Sequence, residues 1–387
     1  MFGPAMPYRK VEYMHWAKMH SQARWNLVTS GVAPVRWSEL GVDPAQLEIS
    51  GDSPYGYEPL IEHIAVRYGA RLENVALAGG GSEANFLVMA ALLARGDHVL
   101  IERPCYEPLY RAAELLGAEI DWLERRFEDA YRVDPERVAA ALTPRTRLII
   151  LTSLHNPSGV FLDEETLVEM GEAAAAVGAY VMVDEVYQEF LAGVRPAFQG
   201  CDRFISTNSL TKVYGLSGLR CGWVLAPRQV ARQVRLVSDY VNPEGVLLGE
   251  MTSAAAFERI ELLDERSRAL MRANRRLLDQ FLALARDYVE CVPPDAGSLC
   301  FPRLRQGSGE KLAELLREKY DTSVVDGRFF AAPAGSAAGD CARHVRISIS
   351  NETEVVREGL SRVRQALADL ASASNPHALS QAAGRMP

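Results

Sequence analysis

Runs of residues that are apolar at nearly every position limit the folds open to this chain more than any other feature. RLIILTSL (147–154), AYVMVDEVY (179–187), RFISTNSL (203–210) and LRCGWVLAP (219–227) lack the alternation of a strand with one wet face. Such runs suit strands buried on both sides, as in a parallel sheet covered by helices. Amphipathic stretches separate and precede them. EPLIEHIAVRYG places Leu60, Ile61, Ile64 and Ala65 at helical spacing and stops at Gly69. NVALAGG, a helix from Ser82, HVLIERP, a helix from Pro108 and a helix from Glu164 carry the alternation on. The centre of the chain therefore reads as α/β: a three-layer, mostly parallel sheet with helices on both faces. Ligand sites are expected beyond the carboxyl ends of its strands.

The 387 residues leave room for a second, smaller domain. From about Gly249 the text turns helical and charged, and after Tyr288 it reads strand, turn, helix, strand, ending in HVRISIS and an amphipathic helix. The division predicted is an N-terminal arm with part of the small domain (1–45), a large domain (46–285), a small α+β domain (286–372) and a loose tail (373–387).

A net charge of −8 argues against a nucleic-acid surface, which needs clustered positive charge. No apolar run approaches the roughly 20 residues that cross a bilayer, and the start has no signal-like apolar core. A cytoplasmic location is the default expectation. The six cysteines show neither a CxxC pair nor metal-ligand spacing, so buried free thiols are expected and no metal site.

Three consecutive apolar runs end in polar residues. Asn156 follows the first, in LTSLHNPSGV; Asp184 closes the second, with Tyr187 three residues on; Lys212 follows the third, in TNSLTKVYGLSGLRCGW, with Arg220 eight residues later. Each alone reads as a turn residue, a helix cap or a solvated charge. Together they bring an amide, a carboxylate and an amine to one sheet edge, where a binding site has use for them.

This set, N-P-x-G, D-E-x-Y, S-x-x-K and G-x-R-x-G in this order, resembles the fold-type-I pyridoxal-phosphate enzymes, specifically the class I/II aminotransferases, from about Asn26 to Val363. The resemblance implies that Lys212 holds pyridoxal 5'-phosphate as a Schiff base and then serves as acid and base. It implies Asp184 at the ring nitrogen, and Asn156 and Tyr187 at the ring oxygen. Tyr106 would stack on the ring. The turn Gly81, Ser82 and Glu83 would hold the phosphate at a helix N-terminus, with Ser209 and Arg220. Arg346 would bind the substrate carboxylate, with Arg343 a weaker competitor, and Gly31 would lie over that carboxylate. A homodimer with its site at the interface is implied as well.

Two places depart from the family pattern. Gly51 stands where many relatives carry a tyrosine that reaches the partner's phosphate, leaving Tyr55 or Tyr57 as candidates. No arginine around NPEGVLLGEMTSAAAF is placed for a second substrate carboxylate. The aromatic N-terminal residues Tyr13, Trp16 and Trp25 could line an apolar pocket, but an arm packing against the partner is the favoured reading. The function implied is ping-pong transamination between an L-amino acid and a 2-oxo acid. The alternatives are a lyase, dehydratase or decarboxylase using the same cofactor, and a non-catalytic binding module.

Overall fold

The computed structural model describes residues 10–332 and 339–374. The first helix, α1 (Glu12–His20), lies in the arm where the sequence shows no long periodic segment. The large sheet has seven strands: β1 (Val75–Ala78), β2 (His98–Arg103), β3 (Glu119–Glu124), β4 (Thr146–Thr152), β5 (Tyr180–Asp184), β6 (Phe204–Ser209) and β7 (Gly222–Leu225). Their spatial order is β1-β7-β6-β5-β4-β2-β3, and every pairing is parallel except the two made by β7.

The apolar runs become the central strands, as anticipated. Leu148 to Leu151, Val181 to Val183 and Phe204 to Ile205 are all buried, because helices cover both faces. The edge strand β3, EIDWLE, escapes the sequence reading. It keeps only Leu123 fully buried, so its text alternates and gives no apolar run.

Helices α2 (Gly81–Leu92), α3 (Glu107–Leu115) and α4 (Glu164–Val177) return the chain between strands. Local chemistry sets the limits of α4. The Asp163 carboxylate accepts from the Thr166 amide at 2.9 Å, and Gly178 closes the helix at φ 75°. Sequence placed the starts of α2 and α3 one residue late.

The charged region after Gly249 forms two helices, Leu247–Phe257 and the longer α5 (Ile260–Leu284). Beyond it, β8 (Leu299–Cys300), β9 (Val325–Asp326) and β10 (Val345–Ser348) make a small antiparallel sheet in the order β8-β10-β9. The short strand Trp25–Asn26 pairs with Thr322–Ser323, tying the N-terminal arm to this region. The closing helix α6 (Thr353–Ser374) runs two residues into the stretch read as a tail; the rest of that stretch lies outside the described residues.

All six cysteines are free, but only Cys105, Cys221 and Cys300 are buried, and Cys201 is exposed on the surface. Among the described residues no helix is long and apolar enough to cross a membrane, and no group of three His, Cys, Asp or Glu side chains could hold a metal ion.

Candidate active site

Strand register assembles the site. Thr152, Asp184 and Thr207 sit side by side across β4, β5 and β6, so the turns that follow open on the same sheet edge. Asn156, Tyr187 and Lys212 come from those turns. They line a cleft of about 260 Å³ together with Tyr106, Arg346 and the start of α2.

The Asp184 carboxylate is buried, and burial pushes its pKa up; the Asn85 amide, the Val186 N–H and Lys212 oppose that shift. Asn85 Nδ2 donates to Asp184 Oδ2 at 2.7 Å, and the Thr207 hydroxyl donates to Asn85 Oδ1 at 2.5 Å. Asn85 and Thr207 thereby hold the carboxylate in one rotamer. Such an acid, costly to keep charged alone, favours a cationic partner in the cleft.

Lys212 is half-buried, and desolvation lowers its pKa, which favours the neutral amine a nucleophile requires. Its Nζ donates to Ser30 Oγ at 3.0 Å, and the Tyr187 hydroxyl donates to the same oxygen at 2.9 Å. Burial raises the Tyr187 pKa, keeping the phenol a proton donor. Burial likewise raises that of Tyr106.

Two close approaches, one between main chains and one between main chain and a guanidinium, shape the far end of the cleft. A Cβ on Gly222 would fall 2.5 Å from the Gly80 carbonyl carbon, and one on Gly80 would fall 2.5 Å from Arg220 Nη2. Gly80 caps α2 at φ 105°, a conformation favouring glycine. Ser82, Ser209 and Arg220 surround the helix start, whose first-turn amides have no partner within the helix. Arg220 itself adopts a left-handed backbone, φ 53°, and its Nη2 donates to the Gly79 carbonyl at 2.5 Å. Amides, hydroxyls and a guanidinium in one cradle make an anion site.

Arg346 on β10 is fully buried. It donates to Asn156 Oδ1 at 3.1 Å, the Tyr13 hydroxyl at 3.0 Å and the Val28 carbonyl at 2.7 Å. Its Nε is buried without a partner, ready for an anionic ligand. The competing Arg343 donates to the Leu304 carbonyl and does not line the cleft.

Three sequence candidates lie outside the cleft lining. Glu83 belongs to the first turn of α2, but its carboxylate folds back over Gly79. Gly31 packs on the Lys212 backbone, where a Cβ would lie 2.9 Å from the Thr211 carbonyl oxygen. Tyr55 is 46% exposed and lines a separate small recess that shares Arg220 with the cleft.

Of the N-terminal aromatics, Trp16 packs within the chain, 5.3 Å from the Phe329 ring, and Trp25 is flanked by Arg24 and Arg362. Tyr13 lines the cleft, its hydroxyl accepting from Arg346. Ser30, Asn85 and Thr207 were missed. Only Asn85 carries a signal: a polar residue on the buried stripe of α2, beside Ala84 and Val88.

The donor set fits pyridoxal phosphate: an amine for its aldehyde, a carboxylate for its ring nitrogen, and a glycine-walled anion cradle too tight for side chains.

Comparison with known proteins agrees. Residues 51–363 match the family described as aminotransferase class I and II. The chain is 29% identical to capreomycidine synthase of Streptomyces vinaceus, over 94% of this chain and 95% of that protein. It is 30% identical to the arginine–pyruvate transaminase AruH of Pseudomonas aeruginosa, over 83% of this chain and 84% of that one. The solved structure of the PLP-dependent cyclase OrfR superposes with a TM-score of 0.82 at 25% identity, covering 95% of this chain and all of that chain (100%).

Proposed function

The chain belongs to the class I and II aminotransferase family and so depends on pyridoxal phosphate; from that premise we propose that it transfers an amino group between an L-amino acid and a 2-oxo acid. One observation carries this reading. The amine of Lys212, bonded to Ser30 together with Tyr187, and the guanidinium of Arg346, bonded to Asn156, open into one cleft.

The cofactor supplies an electron sink for charge released at the substrate's α-carbon. Lys212, Asp184, Tyr187, Asn156, Ser209 and Arg220 would hold it, with the amides of Gly81 and Ser82. Arg346 binds the α-carboxylate and so fixes which substituent of the α-carbon faces Lys212. Lys212 removes the α-proton and holds it at Nζ, kept in line by Ser30. Tyr187 donates a proton within the site without losing it to solvent. Tyr13, Met14 and Ala17 of α1 wall one side of the cleft and would shield a bound substrate from water there.

Capreomycidine synthase and a cyclase fold-mate favour a second reading, in which removal of the same α-proton leads to elimination or ring closure. Purified holoenzyme mixed with single amino acids, with and without a 2-oxo acid, separates the two. Transamination yields a new amino acid only with the acceptor present. Ammonia or a cyclised product without acceptor would overturn it in favour of the second reading.

The assembly we propose is a homodimer. Tyr55 and Val246, both exposed, line the recess that includes Arg220, and a second copy would cover them. The free thiols support a cytoplasmic location.

A further inference from the structure

One wall of the cleft comes from α1, through Tyr13, Met14 and Ala17. Tyr13 is anchored from behind: its backbone N–H donates to Glu107 Oε2 at 2.6 Å, and Glu107, itself buried, also accepts from Arg111 Nε at 3.0 Å. The Tyr13 ring lies 5.8 Å from the rings of both Tyr106 and Phe330. Met14 and Ala17 extend the same wall, and the Tyr106 hydroxyl reaches the Met14 sulfur at 3.2 Å.

Hydrogen bookkeeping on Arg346 shows what an incoming carboxylate must do. The guanidinium has two forked edges, and both include Nη2, because Cδ blocks the side between Nε and Nη1. Nη2 has two hydrogens, and they go to Tyr13 and to the Val28 carbonyl. A carboxylate binding through two parallel bonds therefore needs one of those positions. Val28 offers main chain and cannot turn away. Tyr13 offers a phenol on rotatable bonds, and a carboxylate is the stronger acceptor.

Charge narrows the side chain. Among the described residues lining the cleft, the cations are Lys212, Arg220 and Arg346, each already committed to cofactor or carboxylate. The one acid is Asp184, held by Asn85. Within this lining neither an acidic nor a basic side chain finds a counterion from its own chain, and burying either unpaired is costly.

We propose that Tyr13 is a substrate-contacting specificity residue: it gives up Arg346 Nη2 to the α-carboxylate, and its ring, with Met14, Ala17 and Tyr106, receives a neutral side chain. This rests on the proposed function for the identity of the substrate as an amino acid, and the test separates the two.

Holoenzyme, wild type and Tyr13→Phe, is titrated by calorimetry with three carboxylates that have no amino group to react: 3-phenylpropanoate, succinate and 4-guanidinobutanoate. The neutral ligand binds at least about tenfold more tightly than either charged one, since one unmatched charge outweighs a hydrogen bond. Tyr13→Phe binds it about fivefold more tightly than wild type, because no phenol competes for Nη2. With L-phenylalanine as donor, the same variant lowers KM and keeps kcat within about twofold, as removal of a ground-state competitor requires. Weaker binding by Tyr13→Phe, or a preference for succinate or the guanidino acid, overturns the proposal. If no donor turns over, the transaminase reading fails while the carboxylate ranking still decides this inference.

Discussion

Lys212 Nζ donates to the hydroxyl of Ser30 at 3.0 Å, across 182 positions of sequence. That contact ties the amine at the end of β6 to the N-terminal arm, and it gives a two-level test. Lys212→Ala removes the visible absorbance of bound cofactor and abolishes turnover, a loss of more than about 10³-fold. Ser30→Ala keeps the absorbance but loosens the amine, lowering kcat about tenfold at nearly constant KM. Stopped-flow absorbance measures both; full activity in Ser30→Ala would remove Ser30 from the mechanism.

Gly222→Ala places a methyl 2.5 Å from the Gly80 carbonyl carbon. Main chain cannot yield as a side chain does, so the α2 turn shifts away from Arg220. The expected result is a loss of about 1–3 kcal/mol in stability and at least a tenfold rise in cofactor Kd. Gly218→Ala, which meets nothing within 4 Å, leaves both unchanged and serves as the control.

Asn85 is the support through which Asp184 keeps its orientation. Asn85→Ala withdraws a donor that opposes the upward shift of the Asp184 pKa, so the carboxylate is more often neutral and grips a cationic ring less. Cofactor Kd rises about tenfold, from the loss of one charge-assisted bond. Asn85→Asp is worse, because two acids then share one site. Equal cofactor affinity in all three proteins would deny Asn85 this role.

Glu185 is buried next to Asp184, and burial pushes its pKa up to about 8 from an ordinary value of 4.5. Between those pH values the folded chain keeps a proton that the unfolded chain has lost. Its contribution is therefore fully present below about pH 4.5 and declines by about 1.4 kcal/mol per pH unit until pH passes about 8. Glu185→Gln keeps an acceptor for the Ala197 amide and removes the titration. Urea midpoints of the variant between pH 5.5 and 8.5 fall less than those of wild type; parallel curves would contradict the assignment.

The legible parts of this molecule were those where burial leaves a mark on composition. Strands β4 and β5 are covered on both faces and carry apolar runs, Leu148 to Leu151 and Val181 to Val183, and a polar residue ending such a run stands out, as Asp184 does; β6 is equally buried but is apolar only at Phe204 and Ile205. Strand β3 has no such mark, being at the edge. Tyr13, Ser30 and Asn85 act through contacts with residues 333, 182 and 99 positions away, and no local spacing encodes such contacts. For Glu83 the sequence speaks only of the amide. Its place in the first turn of α2 agrees with that reading and says nothing of where its carboxylate goes, which is back over Gly79.

The cleft draws on both ends of the chain. The residues from Gly81 to Arg220 that would grip the cofactor belong to the large sheet and its connections, whereas Arg346 arrives on β10, which needs β8 and β9 as its hydrogen-bonded neighbours. During synthesis, the half of the site that handles the cofactor is therefore complete while more than a hundred residues are still to come. Capture of the substrate's carboxylate is the last property the growing chain acquires.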